Sequence, residues 1–197
     1  MPAERRATRS RQTNETSVTV SLNLDGSGLS TVATGVGFLD HMLTSLATHA
    51  RFDLKVQAEG DLQVDSHHTV EDVALVLGQA LTDSLGDRRG IERFGHAVVP
   101  MDESLASATI DCGGRSHARV QMGFRAEEVG GIPASLLSHF FEALARSGEF
   151  TLHLEASGDD NHHLAEASFK ALARALRQAT REDPSLGGRP ASLKGRD

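Results

Sequence analysis

Two stretches of this chain align without a gap over 24 residues: "FLDHMLTSLATHARFDLKVQAEGD" from Phe38 to Asp61, and "LLSHFFEALARSGEFTLHLEASGD" from Leu136 to Asp159. His41 falls on His139, Leu46 on Leu144, Phe52 on Phe150, Leu54 on Leu152, Val56 on Leu154 and Gly60 on Gly158. After the shared Gly-Asp the first copy carries three extra residues, and a second match begins: "HHTVE" at His67–Glu71 against "HHLAE" at His162–Glu166. An internal repeat fixes more about a fold than local propensity does, because each unit must adopt the same supersecondary structure and bury its apolar face against something.

Each copy reads as helix, strand, turn, helix. Leu39, Met42, Leu43 and Leu46 are at helical spacing, which predicts a helix over about 39–48, matched by one over about 134–146. "RFDLKVQA" and "EFTLHLEA" alternate with period two and predict strands. Second helices follow over about 69–85 and 163–180. Upstream, "TSVTVSLNL" at Thr16–Leu24 predicts a strand, and "GSGLSTVATG" after it reads like a hairpin. The stretch from Arg93 to Phe124, broken at Pro100, Asp102 and Gly113-Gly114, predicts three strands. The expected fold is α+β: two tandem pseudo-symmetric repeats, each a mostly antiparallel sheet with helices packed on one face. The expected organisation is residues 1–92 as the first repeat with an N-terminal arm, 93–185 as the second, and 186–197 as a C-terminal tail. No low-complexity linker divides the halves, which are expected to pack as one body.

Composition narrows the function classes. A net charge of -7, no Trp or Tyr and only 8 Phe argue against nucleic acid as a partner. No apolar run approaches a membrane span and no apolar leader is visible, so a cytoplasmic protein is expected. The single cysteine, Cys112, excludes an internal disulfide framework and reads as a buried, inert thiol. The basic stretches Glu4–Arg11 and Arg189–Arg196 read as solvated tails.

The doubled histidines carry the chemistry. Residues i and i+4 share a helix face, so His67 with Glu71, and His162 with Glu166, can hold one ion each. The adjacent histidines, His68 and His163, point a quarter-turn or more away and suit another ion. With His41 and His139 the total is six histidines and two glutamates, which divides into two ions of three imidazoles and one carboxylate. Each ion would take its His–Glu pair from one half and its odd histidine from another. Such donors suit Mn, Fe, Zn, Ni or Co rather than Ca or Mg, and four protein ligands leave open positions on six-coordinate Mn(II). Asp40 and Asp72 adjoin these residues and could orient a histidine N–H, as could Asp102 and Glu103. His49, His96, His117 and His153 have no partner in the repeat and read as structural.

Taken together, "GVGFLDHMLTSLATHARFDL", "DSHHTVEDVALVLGQAL", "RFGHAVVPMDESLASATIDCGGR", "SHFFEALA", "NHHLAEASFKALARAL" and "SLKG" resemble the imidazoleglycerol-phosphate dehydratase family from about Arg11 to Gly195. The resemblance implies a carbon–oxygen lyase of histidine biosynthesis that dehydrates imidazole glycerol phosphate to imidazole acetol phosphate. It further implies two Mn(II) per active site and a 24-subunit homo-oligomer whose sites are shared between subunits. The ions would hold the substrate imidazole by its two nitrogens, and reaction would pass through a metal-bound imidazolate. Carried onto this sequence, the metal set is His41, His67, His68, Glu71, His139, His162, His163 and Glu166. Glu15 matches the acid/base glutamate; His41, His68, Glu71, His163 and Glu166 join it as catalytic residues. Arg93, Arg115, Lys170, Ser192 and Lys194, with Glu15, match the substrate and phosphate contacts, the fork of arginine suiting a phosphate. Lys170 also breaks the repeat, since its equivalent is Leu75, as a substrate with phosphate at one end requires. The residues alone leave two other readings: a dinuclear metal phosphoesterase, or a shell in which ions only join subunits.

Overall fold

The computed structural model describes residues 5–192. The first half runs β1 (Arg6–Gln12), β2 (Thr16–Asn23), β3 (Ser30–Ala33), α1 (Gly37–Ala50), β4 (Asp53–Gly60) and α2 (His67–Leu85). The second runs β5 (Phe94–Met101), β6 (Ser104–Asp111), β7 (His117–Met122), the short pair β8 (Glu128–Val129) and β9 (Ile132–Pro133), α3 (Ala134–Ser147), β10 (Thr151–Ser157) and α4 (Asn161–Thr180). The sheets have the same order, β1-β2-β4-β3 and β5-β6-β10-β7. In each, only the last pairing is parallel. The α+β fold with two similar halves is as the repeat predicts.

Two local expectations are corrected. The segment after β2 is no hairpin: β3 pairs in parallel with β4, reached through α1. The basic N-terminal stretch is no loose tail either. From Arg6 it is the edge strand β1, antiparallel to β2. Its arginines find carboxylates on α2: Arg9 pairs with Asp83, and Arg11 Nε donates to Asp72 at 2.8 Å. A row of arginines on an edge strand looks like a tail in sequence because the partners that order it lie about sixty to seventy residues away. The C-terminal stretch is docked as far as it is described, with Gly90 N donating to Arg189 O at 3.1 Å.

The helices lie between the sheets and pack across the halves, α1 on α4 and α2 on α3. On β2, Val18, Val20 and Leu22 face this layer while Ser17 and Thr19 face outward, the alternation of a sheet covered on one side. One continuous core results, with Phe140, Phe141 and Phe169 in ring contact at 4.7–5.7 Å. Helix ends also repeat. Arg51 and Glu149 each take a positive φ after α1 and α3, and the next residue, Phe52 or Phe150, donates its N–H back to Ala47 or Ala145. Arg88, 8 % exposed, closes the connection between halves by donating to the carbonyls of Glu149 (2.6 Å), Gly148 (3.3 Å) and Cys112 (3.4 Å). Cys112 is buried, and burial pushes its thiol up to about 12, so it is inert at neutral pH. No helix among the described residues is long and apolar enough to cross a membrane.

Candidate metal centre

Both double histidines sit in the first turn of a long helix, and an aspartate fixes that turn in each. Asp65 accepts from His67 N at 2.7 Å; Asp160 accepts from His162 N at 2.7 Å and His163 N at 3.2 Å. Asp65 and Asp160 are equivalent in the repeat and act as cap acceptors for otherwise unpartnered N–H groups.

Because α1 packs on α4 and α3 on α2, each odd histidine meets the His–Glu pair of the opposite half. His41 Nε2 is 3.5 Å and His162 Nε2 3.4 Å from Glu166. These three offer ligand atoms within 4.8 Å of one another. In the other half, His139 Nε2 is 2.8 Å and His67 Nε2 3.9 Å from Glu71, with the two imidazoles stacked at 6.1 Å. His139 is the main cause holding the Glu71 carboxyl below its usual range, with His67 and Arg146 adding to it. At Glu166 burial pushes the carboxyl up, but Lys170 and His41 outweigh it and the net direction is down. Both carboxylates are thus kept charged, as a ligand must be. Two imidazoles and a carboxylate, with Lys170 beside Glu166 and Arg146 approaching Glu71, form a donor set that fits a divalent transition metal.

His68 and His163 turn away. The rings of His67 and His68 meet at 82°, those of His162 and His163 at 85°. His68 Nδ1 donates to Asp61 at 3.0 Å, which raises its pKa. His163 Nδ1 donates to Glu103 at 3.0 Å and is raised likewise; Glu103 is held down at about 2 by His163 and Ser104. A carboxylate on Nδ1 fixes the tautomer that presents Nε2 to an ion. Near those outer nitrogens lie further carboxylates, Glu15 at 3.8 Å from His68 Nε2 and Asp102 at 3.9 Å from His163 Nε2.

Of the acidic residues considered as orienters, Glu103 holds a histidine. Asp40 and Asp72 do not: Asp40 accepts from Thr34 N and Oγ1 ahead of α1, and Asp72 from Arg11 and Thr16, tying α2 to β1 and β2. Asp61 is the orienter that sequence reasoning missed.

The proposed phosphate residues divide between two places. Arg93 is 12 % exposed and donates to both oxygens of Asp111 (2.7 and 3.2 Å) and to Ala191 O (2.9 Å); Arg115, 77 % exposed, approaches the same Asp111 at 3.9 Å. The Ala191 contact brings the stretch holding Ser192 beside Arg93. Lys170 stands on α4, its Nζ 2.8 Å from Glu166. Lys194 lies outside the described residues. The clusters themselves are open, with His41, His67 and His162 side chains 51 %, 53 % and 50 % exposed. A groove of about 840 Å³ bordered by Arg6, Leu29 and Lys55 holds none of these residues.

The family model for imidazoleglycerol-phosphate dehydratase matches residues 34–176, a span that takes in both clusters. The chain belongs to the imidazoleglycerol-phosphate dehydratase family. It is similar to the dehydratase of Granulibacter bethesdensis, 52% identical over 97% of this chain and 98% of that one. It is similar to that of Gluconacetobacter diazotrophicus, 50% identical over 99% of each. The crystal structure of the dehydratase from Staphylococcus aureus superposes with a TM-score of 0.81 at 34% identity, covering 90% of this chain and 99% of that one. The one from Pyrococcus furiosus gives 0.81 at 35%, covering 96% and 100%. The enzyme class expected from the motifs, a hydro-lyase, is the class of this family.

Proposed function

We propose that this chain dehydrates imidazole glycerol phosphate to imidazole acetol phosphate in the cytoplasmic pathway of histidine biosynthesis, with two Mn(II) per site. The observation that carries the reading is the pair of matched donor clusters, His41–His162–Glu166 and His139–His67–Glu71, each assembled across the two halves. When bound, the ions supply Lewis acidity at the two ring nitrogens of the substrate and favour its deprotonated ring. Everything else falls to the chain's own side chains. His68 and His163, turned out of their own clusters with fixed tautomers, are the histidines that complete the clusters of neighbouring copies. This makes the 24-subunit assembly a requirement of the site. Glu15 stands before His68 Nε2 and takes the carbon-bound proton of the substrate once loss of the hydroxyl has made that C–H acidic. Arg115, Arg93, Ser192 and Lys194, with Lys170, which only the second half carries, bind the phosphate end of the substrate.

The test is to strip the protein with a chelator and assay formation of the imidazole acetol product before and after adding Mn(II). Activity that vanishes and returns supports the reading. A stripped protein as active as the untreated one sinks it. A metal phosphoesterase would release inorganic phosphate from the same substrate, which the assay reads separately.

A further inference from the structure

The two halves repeat more of the site than the helices and their histidines. The β1–β2 hairpin pairs Arg6 with Asn23 and Gln12 with Ser17; β5–β6 pairs Phe94 with Asp111 and Pro100 with Leu105. A constant shift of 88 positions relates them, and it sets Glu15 on Glu103 and Thr16 on Ser104. Thr16 and Ser104 are both buried, at 4 % and 1 %, and a Cβ added to Gly158 would meet Ser104 just as one added to Gly60 would come close to Thr16. Glu15 and Glu103 are therefore one position of the duplicated unit, at the turn that faces the second histidine of the pair.

They do different things. Glu103 accepts from His163 Nδ1 at 3.0 Å, and its other oxygen accepts from Ser104 Oγ at 2.7 Å and Asp160 N at 2.9 Å. Its carboxylate is fully committed. Glu15 is 55 % exposed and stands on the opposite side of its imidazole, 3.8 Å from His68 Nε2. What differs is Asp61, which occupies the Nδ1 of His68 at 3.0 and 3.2 Å. The equivalent of Asp61 is Asp159, which is 72 % exposed and paired outward with Arg125 at 2.8 Å. One exchange of carboxylates accounts for the asymmetry: in the second half the hairpin glutamate holds the histidine, and in the first half Asp61 holds it.

We infer that Asp61 is a positioning residue for the reaction: by taking the His68 Nδ1–H it keeps Glu15 out of the orienting role of Glu103 and free to meet substrate. This rests on the proposed role of Glu15. It explains why a fold with two equivalent turn glutamates offers one as a base. Backbone geometry keeps the two carboxylates in register, since Asp61 N donates to Glu15 O at 3.1 Å. Without Asp61, Glu15 is expected to turn to Nδ1, as its repeat equivalent Glu103 does on His163.

The test uses the full-length, metal-loaded enzyme and the variants Asp61→Ala and Asp61→Asn. An asparagine oxygen still accepts from Nδ1–H; alanine accepts nothing. In a crystal structure of Asp61→Ala the Glu15 carboxylate is expected on His68 Nδ1, and kcat at saturating Mn(II) is expected to fall about 100-fold, the scale of a lost general base, with KM little changed. Asp61→Asn should recover kcat to within a few-fold. The double variant Asp61→Ala with Glu15→Gln should be no slower than Glu15→Gln alone, because both act through one group. Independent, multiplying losses in the double variant, or a Glu15 that has not moved in the crystal, would overturn the inference. If Asp61→Ala does not assemble, Asp61→Ser, too short to reach the ring, takes its place. Should the wild-type enzyme prove unable to dehydrate the substrate, the proposed function falls, while the position of Glu15 in the variant crystal still decides the role of Asp61.

Discussion

Glu15 is an exposed carboxylate on a two-strand turn, held there by Thr13, whose Oγ1 accepts from the N–H groups of Glu15 and Thr16 at 3.1 and 2.9 Å. Nothing in the core depends on its charge. Glu15→Gln is therefore expected to lower kcat by about 10²–10⁴ while leaving the thermal midpoint and particle size unchanged, as read by steady-state kinetics beside calorimetry and light scattering. Equal losses of activity and assembly would show Glu15 to be structural. At this scale the sequence was readable where a helix kept a histidine and a glutamate at i and i+4, as in His67–Glu71 and His162–Glu166, because helical spacing converts directly into a shared face. Asp61 was not readable. It lies in a turn seven residues from His68, where spacing has no fixed geometry. The equivalence of Glu15 and Glu103 was hidden too, since antiparallel strands preserve register and alternation rather than residue identity.

Among the elements, the close crossing of α2 and α3 hangs on Gly78. A Cβ there would stand 2.7 Å from Gly148 N and 2.8 Å from Leu144 O, backbone atoms that have no rotamer to yield. Alanine is the better helix former by about 1 kcal/mol, so propensity alone predicts that Gly78→Ala stabilises. Packing predicts the opposite, a net loss of about 1–3 kcal/mol, measurable by denaturant unfolding. The turn into β3 has a different support. The Asp53 carboxylate accepts from the N–H groups of Ser27 (2.8 Å), Gly28 (3.2 Å) and Leu29 (3.0 Å), and these bonds hold its pKa below the ordinary value. A depressed carboxylate stabilises the fold above its unfolded pKa, and that contribution is lost as pH falls through the folded pKa. Asp53→Asn should thus be less stable than the parent near neutrality, with the gap narrowing as pH falls below the ordinary carboxylate range, as seen in urea midpoints followed from pH 6 down to pH 2. A gap that does not narrow over that range would assign the effect to packing. The parallel β3–β4 pairing escaped sequence reading because a Gly-rich segment between two strands signals a turn without saying which neighbour the next strand will join.

For the molecule as a whole, the decisive fact is that helices pack with those of the other half. Separated at the connection around 86–92, each half would expose the helix surfaces that now form the common core. Each is expected to lack a cooperative unfolding transition when expressed alone, and the full chain to unfold in one. Circular dichroism melts of the two fragments and the parent check this; a fragment that melts cooperatively as a monomer would contradict it. The α+β class and the pairing of equivalent elements were readable from the repeat, since two identical amphipathic units must bury identical faces. Which faces meet was not, because an apolar stripe is silent about its partner.

The cross-packing of α1 on α4 and α2 on α3 also has a consequence during synthesis. A ribosome adds roughly 5–20 residues per second, so α1 and α2 emerge several seconds, and up to about 25 s, before α4 and α3 exist to cover them. Through that interval the nascent chain carries two apolar helix stripes with no partner of its own. The clientele of chaperones at the exit tunnel is defined by such intervals, and this fold has one written into the order of its halves.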